Sequence, residues 1–303
     1  MKHGLLLIDK PKGMTSHSLV NKVRKILGTK AVGHAGTLDP IASGLMVLLV
    51  GEGTKLSQYM MSQDKGYEVE ILWGKTTDTF DRDGEVLSER DVNLSEERVR
   101  EVLNLFQGTL SLQVPYFSAM KINGRKLYEM ARNKEVFTPP YKEMHFYGVQ
   151  LLSHEGAITK VSVKCSKGSY VRSWVHEMGQ KLGCGAIIHE LRRVESSPYH
   201  VRQAVTLEDL QAGQGESSFI PLVEALPHWK TLSVKGKDAR LLRNGQISHD
   251  LFQKLIVEQK QANQRQETIG IKITSQEGRE LLSILEARPF KGLKIKRVFN
   301  VPV

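Results

Sequence analysis

Residues 33–45 combine one acidic side chain with a backbone that cannot form a regular helix. The stretch reads Gly-His-Ala-Gly-Thr-Leu-Asp-Pro-Ile-Ala-Ser-Gly-Leu, with three glycines and a proline around Asp39. The apolar run 45–50, between Gly44 and Gly51, predicts a buried strand. Asp39 is therefore expected on a loop fixed against the core, where an ionised carboxylate can act as a nucleophile. The alternative is an Asp-Pro turn whose carboxylate caps backbone amides.

Two further side chains of reactive types fall in regular elements. Residues 67–73 alternate as a strand, and its apolar face includes Tyr67. Residues 171–182 have the apolar spacing of a helix, with Arg172 in its first turn and about a quarter turn off the apolar stripe. A cation there opposes the helix dipole, so a carboxylate or phosphate partner is expected. The alternatives are a core tyrosine and a surface arginine.

Composition favours a nucleic-acid partner. The 303 residues suffice for one large domain and a small one, and 43 basic against 33 acidic residues give a net charge of +10. Two cysteines give neither a disulfide framework nor a zinc quartet. No secretory leader opens the chain and no apolar stretch is long enough to span a bilayer, so a cytoplasmic protein is expected.

The predicted elements mix helices and strands. Residues 4–8 and 161–166 are expected as strands, and helices are expected after Thr15 or Ser16 and after Ser95. Beyond residue 227 the pattern changes to short strands around one small helix, with a basic end. This change predicts an α+β first part followed by a compact β-rich module.

The acid-rich residues 78–85 invite a calcium interpretation, which fails on spacing. A calcium loop of the EF-hand type needs an oxygen ligand at its first position and a glutamate at its twelfth. Alignment on Asp81, Asp83 and Gly84 places Thr79 first and Arg90 twelfth. No metal ion and no organic cofactor is therefore expected.

The pattern Gly-His-x-Gly-Thr-Leu-Asp-Pro-x-Ala-x-Gly-Leu at residues 33–45 resembles the catalytic loop of the TruB family of pseudouridine synthases. The resemblance implies that Asp39 is the nucleophile that isomerises a uridine. Lys-Gly-Tyr at residues 65–67 is similar to the segment with the family's active-site tyrosine, here Tyr67. Cys-Ser-Lys-Gly-Ser-Tyr-Val-Arg at residues 165–172 resembles the motif whose arginine, here Arg172, pairs with the catalytic aspartate.

Other motifs of the family imply further contacts. Thr-Asp-Thr-x-Asp-x-x-Gly at residues 77–84 implies that Asp81 helps to position the substrate. Leu-Arg-Arg at residues 191–193 implies that Leu191 packs beside the target base, and leaves both arginines open between structural support and phosphate contact. Leu-Ile-Asp-Lys-Pro-x-Gly-Met-Thr-Ser at residues 7–16, the opening motif, is similar to the family's first motif, and its Lys10 is expected to support the catalytic loop. His34 is expected to fill the space vacated by a flipped base or to stack on RNA.

Residues 114–121 are similar to the family's Pro-Pro-x-Tyr-Ser-Ala-x-Lys, but Val114 and Phe117 depart from it. Because Phe117 has no hydroxyl, no polar side-chain role is carried over to it. Residues 120–143 are basic and loop-like, and Lys121 is a candidate RNA contact. In the family this insertion grips an RNA stem-loop, although a solvated charged loop would have the same composition.

The resemblance is strong over residues 2–210 and faint beyond. It implies a pseudouridine synthase fold, with a mixed, mainly antiparallel sheet flanked by helices and loops, over residues 1–227. Residues 228–303 are similar to a degenerate PUA-like RNA-binding domain. The implied substrate is the T-arm of tRNA at uridine 55, modified by a monomer without a protein partner. The alternative is a non-catalytic RNA-binding or tRNA-folding protein; a metal-dependent nuclease is a distant third.

Overall fold

The computed structural model describes residues 2–300, which form an α+β structure. The strands of the first part are β1 (Gly4–Lys10), β2 (Val32–His34), β3 (Ser43–Val50), β4 (Lys65–Trp73), β5 (Lys75–Thr77), β6 (Val86–Glu89), β7 (Gly108–Gln113), β8 (Lys121–Ile122), β9 (Arg125–Lys126), β10 (Tyr141–Glu155), β11 (Ile158–Cys165), β12 (Ala186–Ser196), β13 (Tyr199–His200) and β14 (Phe219–Pro221). Its helices are α1 (Ser16–Ile26), α2 (Ser57–Met61), α3 (Glu96–Leu105), α4 (Leu127–Arg132), α5 (Val171–Leu182) and α6 (Leu207–Gln211).

A ten-stranded sheet organises this part, in the order β14-β1-β3-β12-β4-β11-β10-β7, with β2 and β13 pairing at its side. Its pairs are antiparallel except β3 with β12, which run parallel and meet only where Ser43 and Gly44 face Arg192 and Arg193. The prediction of a mixed, mainly antiparallel sheet is confirmed. Since β3 and β12 pair so briefly, the loop that precedes β3 lies where these two strands diverge.

The predicted strands and helices around residues 33–45 form for the expected reasons. Every residue of β3 is buried, as the continuous apolar run predicts. The Thr15 hydroxyl caps α1 by accepting a hydrogen bond from the Ser18 amide at 3.0 Å. Helix α5 buries Trp174 and Met178 and ends at Gly183, whose φ of 72° favours glycine. The first turn of α5, which carries Arg172, is thereby fixed on the sheet.

Apolar cores lie on both faces of the sheet. On one face, α3 and α5 pack over β4, β10, β11 and β12, and Leu38 and Ala42 of the loop between β2 and β3 belong to the same cluster. Helix α1 and part of β1 and β3 form another core with Val205 and Leu207. The loop between β2 and β3 is therefore anchored by its own apolar residues in the main core.

The insertion at residues 120–143 is more ordered than the predicted loop. It contains the β8–β9 hairpin and the short helix α4, and β10 begins inside it at Tyr141. Leu127 is fully buried, and Met120, Ile122, Met130 and Phe137 pack against the main core. The prediction of a loop was wrong because it was based on the basic residues and did not take these apolar residues into account.

The C-terminal module is a four-stranded sheet with two helices, so the expectation of one small helix is wrong. Its elements are β15 (Lys230–Val234), α7 (Gly236–Arg243), α8 (His249–Arg265), β16 (Ile269–Ser275), β17 (Leu281–Arg288) and β18 (Gly292–Val298). The 17-residue helix α8 was missed because it is mostly polar and buries only Leu251, Leu255, Glu258 and Ala262.

The module shares a core with the preceding part. Leu281, Ile284 and Phe299 are buried in one cluster with β1, β3 and α2. Tyr59 of α2 also donates a hydrogen bond to Glu286 Oε1 at 3.2 Å. The proposed boundary at residue 227 therefore divides a chain whose two parts are packed together. Within residues 2–300 no α-helix is long and apolar enough to cross a membrane.

Candidate active site

The loop between β2 and β3 carries Asp39, and main-chain contacts hold it on both sides. The Ser16 hydroxyl donates to the Leu38 carbonyl at 2.9 Å and accepts from the Leu38 amide at 2.8 Å. The Gly13 amide donates to the Pro40 carbonyl at 2.8 Å. Two residues of the opening motif thus fix the main chain immediately before and after Asp39.

Arg193 holds the start of the same loop from inside the protein. Only 2% exposed, it donates from Nε to the Leu45 carbonyl at 2.7 Å and from its terminal nitrogens to Gly36 and Thr37 at 3.3 Å each. Of its two possible roles, structural support is the one that these contacts describe. Gly44 is required beside it, because a Cβ there would lie 2.3 Å from the Arg193 carbonyl oxygen.

Arg172 occupies the centre of the site. Its Nε lies 2.9 Å from Asp39 Oδ2, and its side chain is 7% exposed against 36% for Asp39. Its terminal nitrogens donate to the carbonyls of Thr79, at 3.0 Å, and Phe117, at 2.9 Å. One guanidinium therefore binds three segments of chain, and the sequence-based pairing with Asp39 is present in the structure. The buried arginine leaves the carboxylate partly open to a ligand.

Asp81 lies at the back of this arrangement. Its Oδ2 is 3.9 Å from Arg172 Nη1, and its Oδ1 accepts from the Thr79 hydroxyl at 2.6 Å and the Asp83 amide at 3.2 Å. Burial raises the pKa of Asp81, while the Thr79 hydrogen bond and the Arg172 charge oppose that shift. Asp81 and Asp39 thus share one cation, and Asp81 is the more enclosed carboxylate.

Tyr67 and Leu191 lie on the strands that run beneath the loop. Tyr67 of β4 is half-buried against the cluster that contains Leu38, and Leu191 of β12 is a buried member of it. Burial raises the pKa of Tyr67 to about 12; the Arg193 cation opposes this shift and the Asp39 charge adds to it. The Tyr67 phenol is therefore protonated at neutral pH, and in this state it can donate a hydrogen bond or pack on a base.

His34 and Lys10 border the loop from two sides. Burial lowers the pKa of His34, and the Arg193 guanidinium lowers it further, so the imidazole is neutral near pH 7. Burial lowers the pKa of Lys10 to about 8, although the negative charge of Asp39 acts to raise it. The Lys10 ammonium donates to the Pro11 and Met14 carbonyls at 2.9 and 2.8 Å and is fully buried. These contacts describe a support for the loop.

Lys121 differs from the other predicted contact residues because it is exposed, in the β8–β9 hairpin. The structure places it on the insertion, and no contact brings it to Asp39 among the residues described. Within residues 2–300 no group of three or more His, Cys, Asp or Glu side chains is placed to hold a metal ion.

Two protein-family models together match residues 24–220 of this chain. The model of the TruB family pseudouridylate synthase N-terminal domain matches residues 24–171, and that of the tRNA pseudouridylate synthase B C-terminal domain matches residues 172–220. The chain is 45% identical to a tRNA pseudouridine synthase B from Bdellovibrio bacteriovorus, over 98% of this chain and 97% of that protein. The chain belongs to the TruB family of pseudouridine synthases. It is accordingly an isomerase of the class that modifies tRNA.

Other relatives agree with the TruB assignment and with the fold. A tRNA pseudouridine synthase B from Pseudomonas fluorescens is 40% identical over 80% of this chain and 82% of that protein. A chain in the structure of an H/ACA RNP bound to a substrate RNA containing 2′-deoxyuridine is similar with a TM-score of 0.70 at 21% identity, over 99% of this chain and 86% of that one. A chain in the crystal structure of a Cbf5-Nop10-Gar1 complex is similar with a TM-score of 0.69 at 22% identity, over 99% of this chain and 85% of that one. The predicted pseudouridine synthase fold is confirmed.

Several participants in this TruB site could not be found from the sequence. Thr79 and Phe117 serve Arg172 through main-chain carbonyls, which leave no side-chain signal. Phe117, to which no polar side-chain role could be assigned, therefore has a polar role through its backbone. The ring of Phe80 stacks on His176 of α5, a contact between segments that are distant in sequence.

Proposed function

We propose that this TruB-family enzyme converts the T-loop uridine of tRNA, at position 55, to pseudouridine, with Asp39 as the nucleophile. The names of its relatives support tRNA as the substrate. The observation that carries the assignment is the ion pair of Asp39 with Arg172 at 2.9 Å. It orients a partly exposed carboxylate, as covalent catalysis requires.

The reaction breaks the bond between N1 of the base and C1′ of the ribose. The base stays bound and rotates, and a new bond then joins C5 to C1′. C5 loses one proton and N1 gains one, so no atom is gained or lost overall. An ionised Asp39 can add either to C1′ or to the ring, and both points of attack fit the exposed carboxylate. The adduct holds one fragment while the base is repositioned.

The uridine must leave its stack to reach Asp39, as for other enzymes that act on a base. Leu191 and Tyr67 supply an apolar surface beneath the loop on which a flipped base can pack. Because the Tyr67 phenol is protonated, we assign it packing and hydrogen bonding in the bound state; proton removal by Tyr67 would require its pKa to fall on binding. His34 is neutral and borders the loop, which suits contact with RNA bases.

Asp81 positions substrate or Arg172 from the enclosed side of the site, and Lys10 maintains the loop. Contact with the RNA backbone then falls to exposed cations. We assign this role to the insertion around Lys121, for the stem-loop, and to basic side chains of the C-terminal PUA-like module, for more distant parts of tRNA. RNA is recognised largely by shape, backbone contacts and unstacked loop bases, which such surfaces can supply.

The proposal includes a monomer that acts in the cytoplasm without metal, organic cofactor or protein partner. A second candidate, a tRNA-binding or tRNA-folding protein without catalysis, would account for the basic charge. It would not require a nucleophile held by a buried arginine beside Tyr67. Incubation of the protein with a T-arm stem-loop, followed by nucleoside analysis, separates the two. Pseudouridine at the T-loop uridine supports the proposal, whereas RNA binding without product would support the second candidate.

A further inference from the structure

Phe80 has a backbone conformation that its residue type disfavours. Its φ is 64°, in the left-handed region, where a bulky side chain is strained and glycine is the usual choice. The residue is nevertheless buried, with 8% of its surface exposed. Strain of this kind persists only where surrounding contacts impose it, and it is often found at functional sites.

The ring of Phe80 contacts the helix that carries Arg172. The Phe80 ring lies face to face with the His176 ring, with centroids 3.8 Å apart and planes 14° apart. His176 follows Arg172 by one helical turn of α5, so both side chains lie on the same side of the helix. Residues 79–81 form a turn, the residue-80 turn. The stack therefore joins this turn to α5, the helix that carries the Arg172 cation.

Both neighbours of Phe80 contact Arg172. The Thr79 carbonyl accepts from Arg172 Nη1 at 3.0 Å, and the Asp81 carboxylate lies 3.9 Å from the same nitrogen. The Phe80 carbonyl accepts from the Ile188 amide of β12 at 3.1 Å, which secures the turn from the other side. Rotation of the Phe80 backbone would displace the Thr79 carbonyl and the Asp81 carboxylate together.

We propose that Phe80 and His176 are positioning residues that keep Arg172 aligned on Asp39 by fixing the residue-80 turn against α5. Neither side chain is required to touch substrate. The proposal rests on the assignment of Asp39 as the nucleophile, because only then does the orientation of its partner limit the rate. Misplacement of a catalytic group by about 1 Å can lower a rate by roughly a hundredfold, so a small shift in this turn is sufficient.

The test compares variants that keep or remove the flat ring. His176→Phe preserves a stacking face, whereas His176→Leu fills similar space without one; Phe80→Ala keeps the strained position but removes its ring. Phe290→Ala is the matched control, because Phe290 also has a positive φ, 56°, but is 78% exposed and has no ring partner among the described residues. The measurements are single-turnover pseudouridine formation on a T-arm stem-loop, the dissociation constant for the same RNA, and thermal unfolding.

The single-turnover rate is expected to fall by about tenfold or more in H176L and F80A and to recover to within about threefold in H176F. Dissociation constants should stay within about threefold of wild type, since neither side chain is assigned a contact with RNA. The double variant F80A/H176L should be no slower than the slower single variant, because both changes remove the same ring stack.

Rates in folded H176L and F80A within about twofold of wild type would overturn the proposal. Equal losses in H176L and H176F would do the same, because the stacking face would then be irrelevant. An error in the assignment of Asp39 as the nucleophile would give a different result. In that case the wild-type protein would form no pseudouridine, or Asp39→Asn would retain turnover. If F80A does not fold, the comparison of H176L with H176F still decides the question.

Discussion

The Nε atom of Arg172 lies 2.9 Å from Oδ2 of Asp39, while the other two nitrogens of the same guanidinium donate to the Thr79 and Phe117 carbonyls. All three nitrogens are therefore engaged, and the arginine cannot turn away from Asp39 without breaking hydrogen bonds to the main chain as well. The orientation of the carboxylate thus depends on two segments that are not required to touch the reacting base.

Arg172→Lys should lower activity severely although it keeps the charge. A lysine ammonium cannot bind the carboxylate and both carbonyls in the fixed geometry of a guanidinium, so the Asp39 orientation is not maintained. We expect kcat on T-arm RNA to fall by about a hundredfold, with a smaller change in KM. Arg100→Lys, at an exposed ion pair on α3, is the control. Nearly normal kcat in folded R172K would refute this dependence on guanidinium geometry.

The sequence was sufficient to predict the Asp39–Arg172 pair because both residues fall in long patterns that resemble family motifs. Strand β3 was predictable because its apolar run is continuous, and α1 because Thr15 gives a capping signal. These features are local or lie within one motif. Each can therefore be read without knowledge of how the chain folds back on itself.

The features that escaped prediction depend on tertiary contacts. The Phe80–His176 stack joins a turn to a helix far along the chain, and no local pattern marks it. The polar helix α8 is stabilised by the few residues that it buries in the module, while most of its sequence resembles a solvated segment. The shared core formed by Leu281, Ile284 and Phe299 likewise gave no signal around residue 227.

Acid should destabilise the folded protein in part through His176. Burial lowers the pKa of His176 in the folded protein below its ordinary value of 6.5. At a pH between the folded-state pKa and the ordinary pKa, the unfolded chain therefore binds more protons than the folded protein. The contribution of His176 to the free energy of unfolding is therefore fully present above pH 6.5 and decreases as the pH falls below that value.

The variant H176F should remove this contribution while it keeps the stack. Chemical denaturation at about pH 7.5 and about pH 5 should show a smaller acid-induced loss of stability than in wild type. The exposed His17 provides a matched histidine control, H17F. An unchanged or larger acid-induced loss in H176F would contradict the assignment of the buried neutral imidazole.

Basic residues of the C-terminal module should affect tRNA and isolated T-arm differently. Truncation at residue 227 is a poor test, because it would remove part of a shared core. Replacement of the exposed Lys291 and Lys294 by Gln leaves that core intact. We expect weaker binding of full-length tRNA and a salt dependence flatter by roughly one unit for each phosphate that the module no longer binds, with T-arm turnover unchanged.

Lys181→Gln, at an exposed position of α5, is the control for a general reduction of positive charge. If K291Q/K294Q weakened tRNA binding no more than K181Q, the module would not supply these contacts. If the double variant slowed T-arm turnover as strongly as tRNA turnover, the module would instead act on the active site.

Exhaustive chelation should leave activity on the T-arm undiminished. The expectation follows from the absence of any suitable group of three ligating side chains within residues 2–300. A stem-loop annealed in monovalent salt serves as substrate, with its melting curve as the control for RNA folding. Activity that is lost on chelation and restored by one divalent ion, while the RNA stays folded, would refute it.

The most direct test of the central claim is pseudouridine formation by Asp39→Asn on T-arm RNA. Asparagine keeps the shape of the side chain and can stay near Arg172, but a neutral amide cannot serve as the nucleophile. Nucleoside analysis after prolonged incubation should show no pseudouridine, while the dissociation constant for the RNA stays close to that of wild type. Substantial turnover by D39N, with uridine converted at the same position, would show that Asp39 is not the nucleophile.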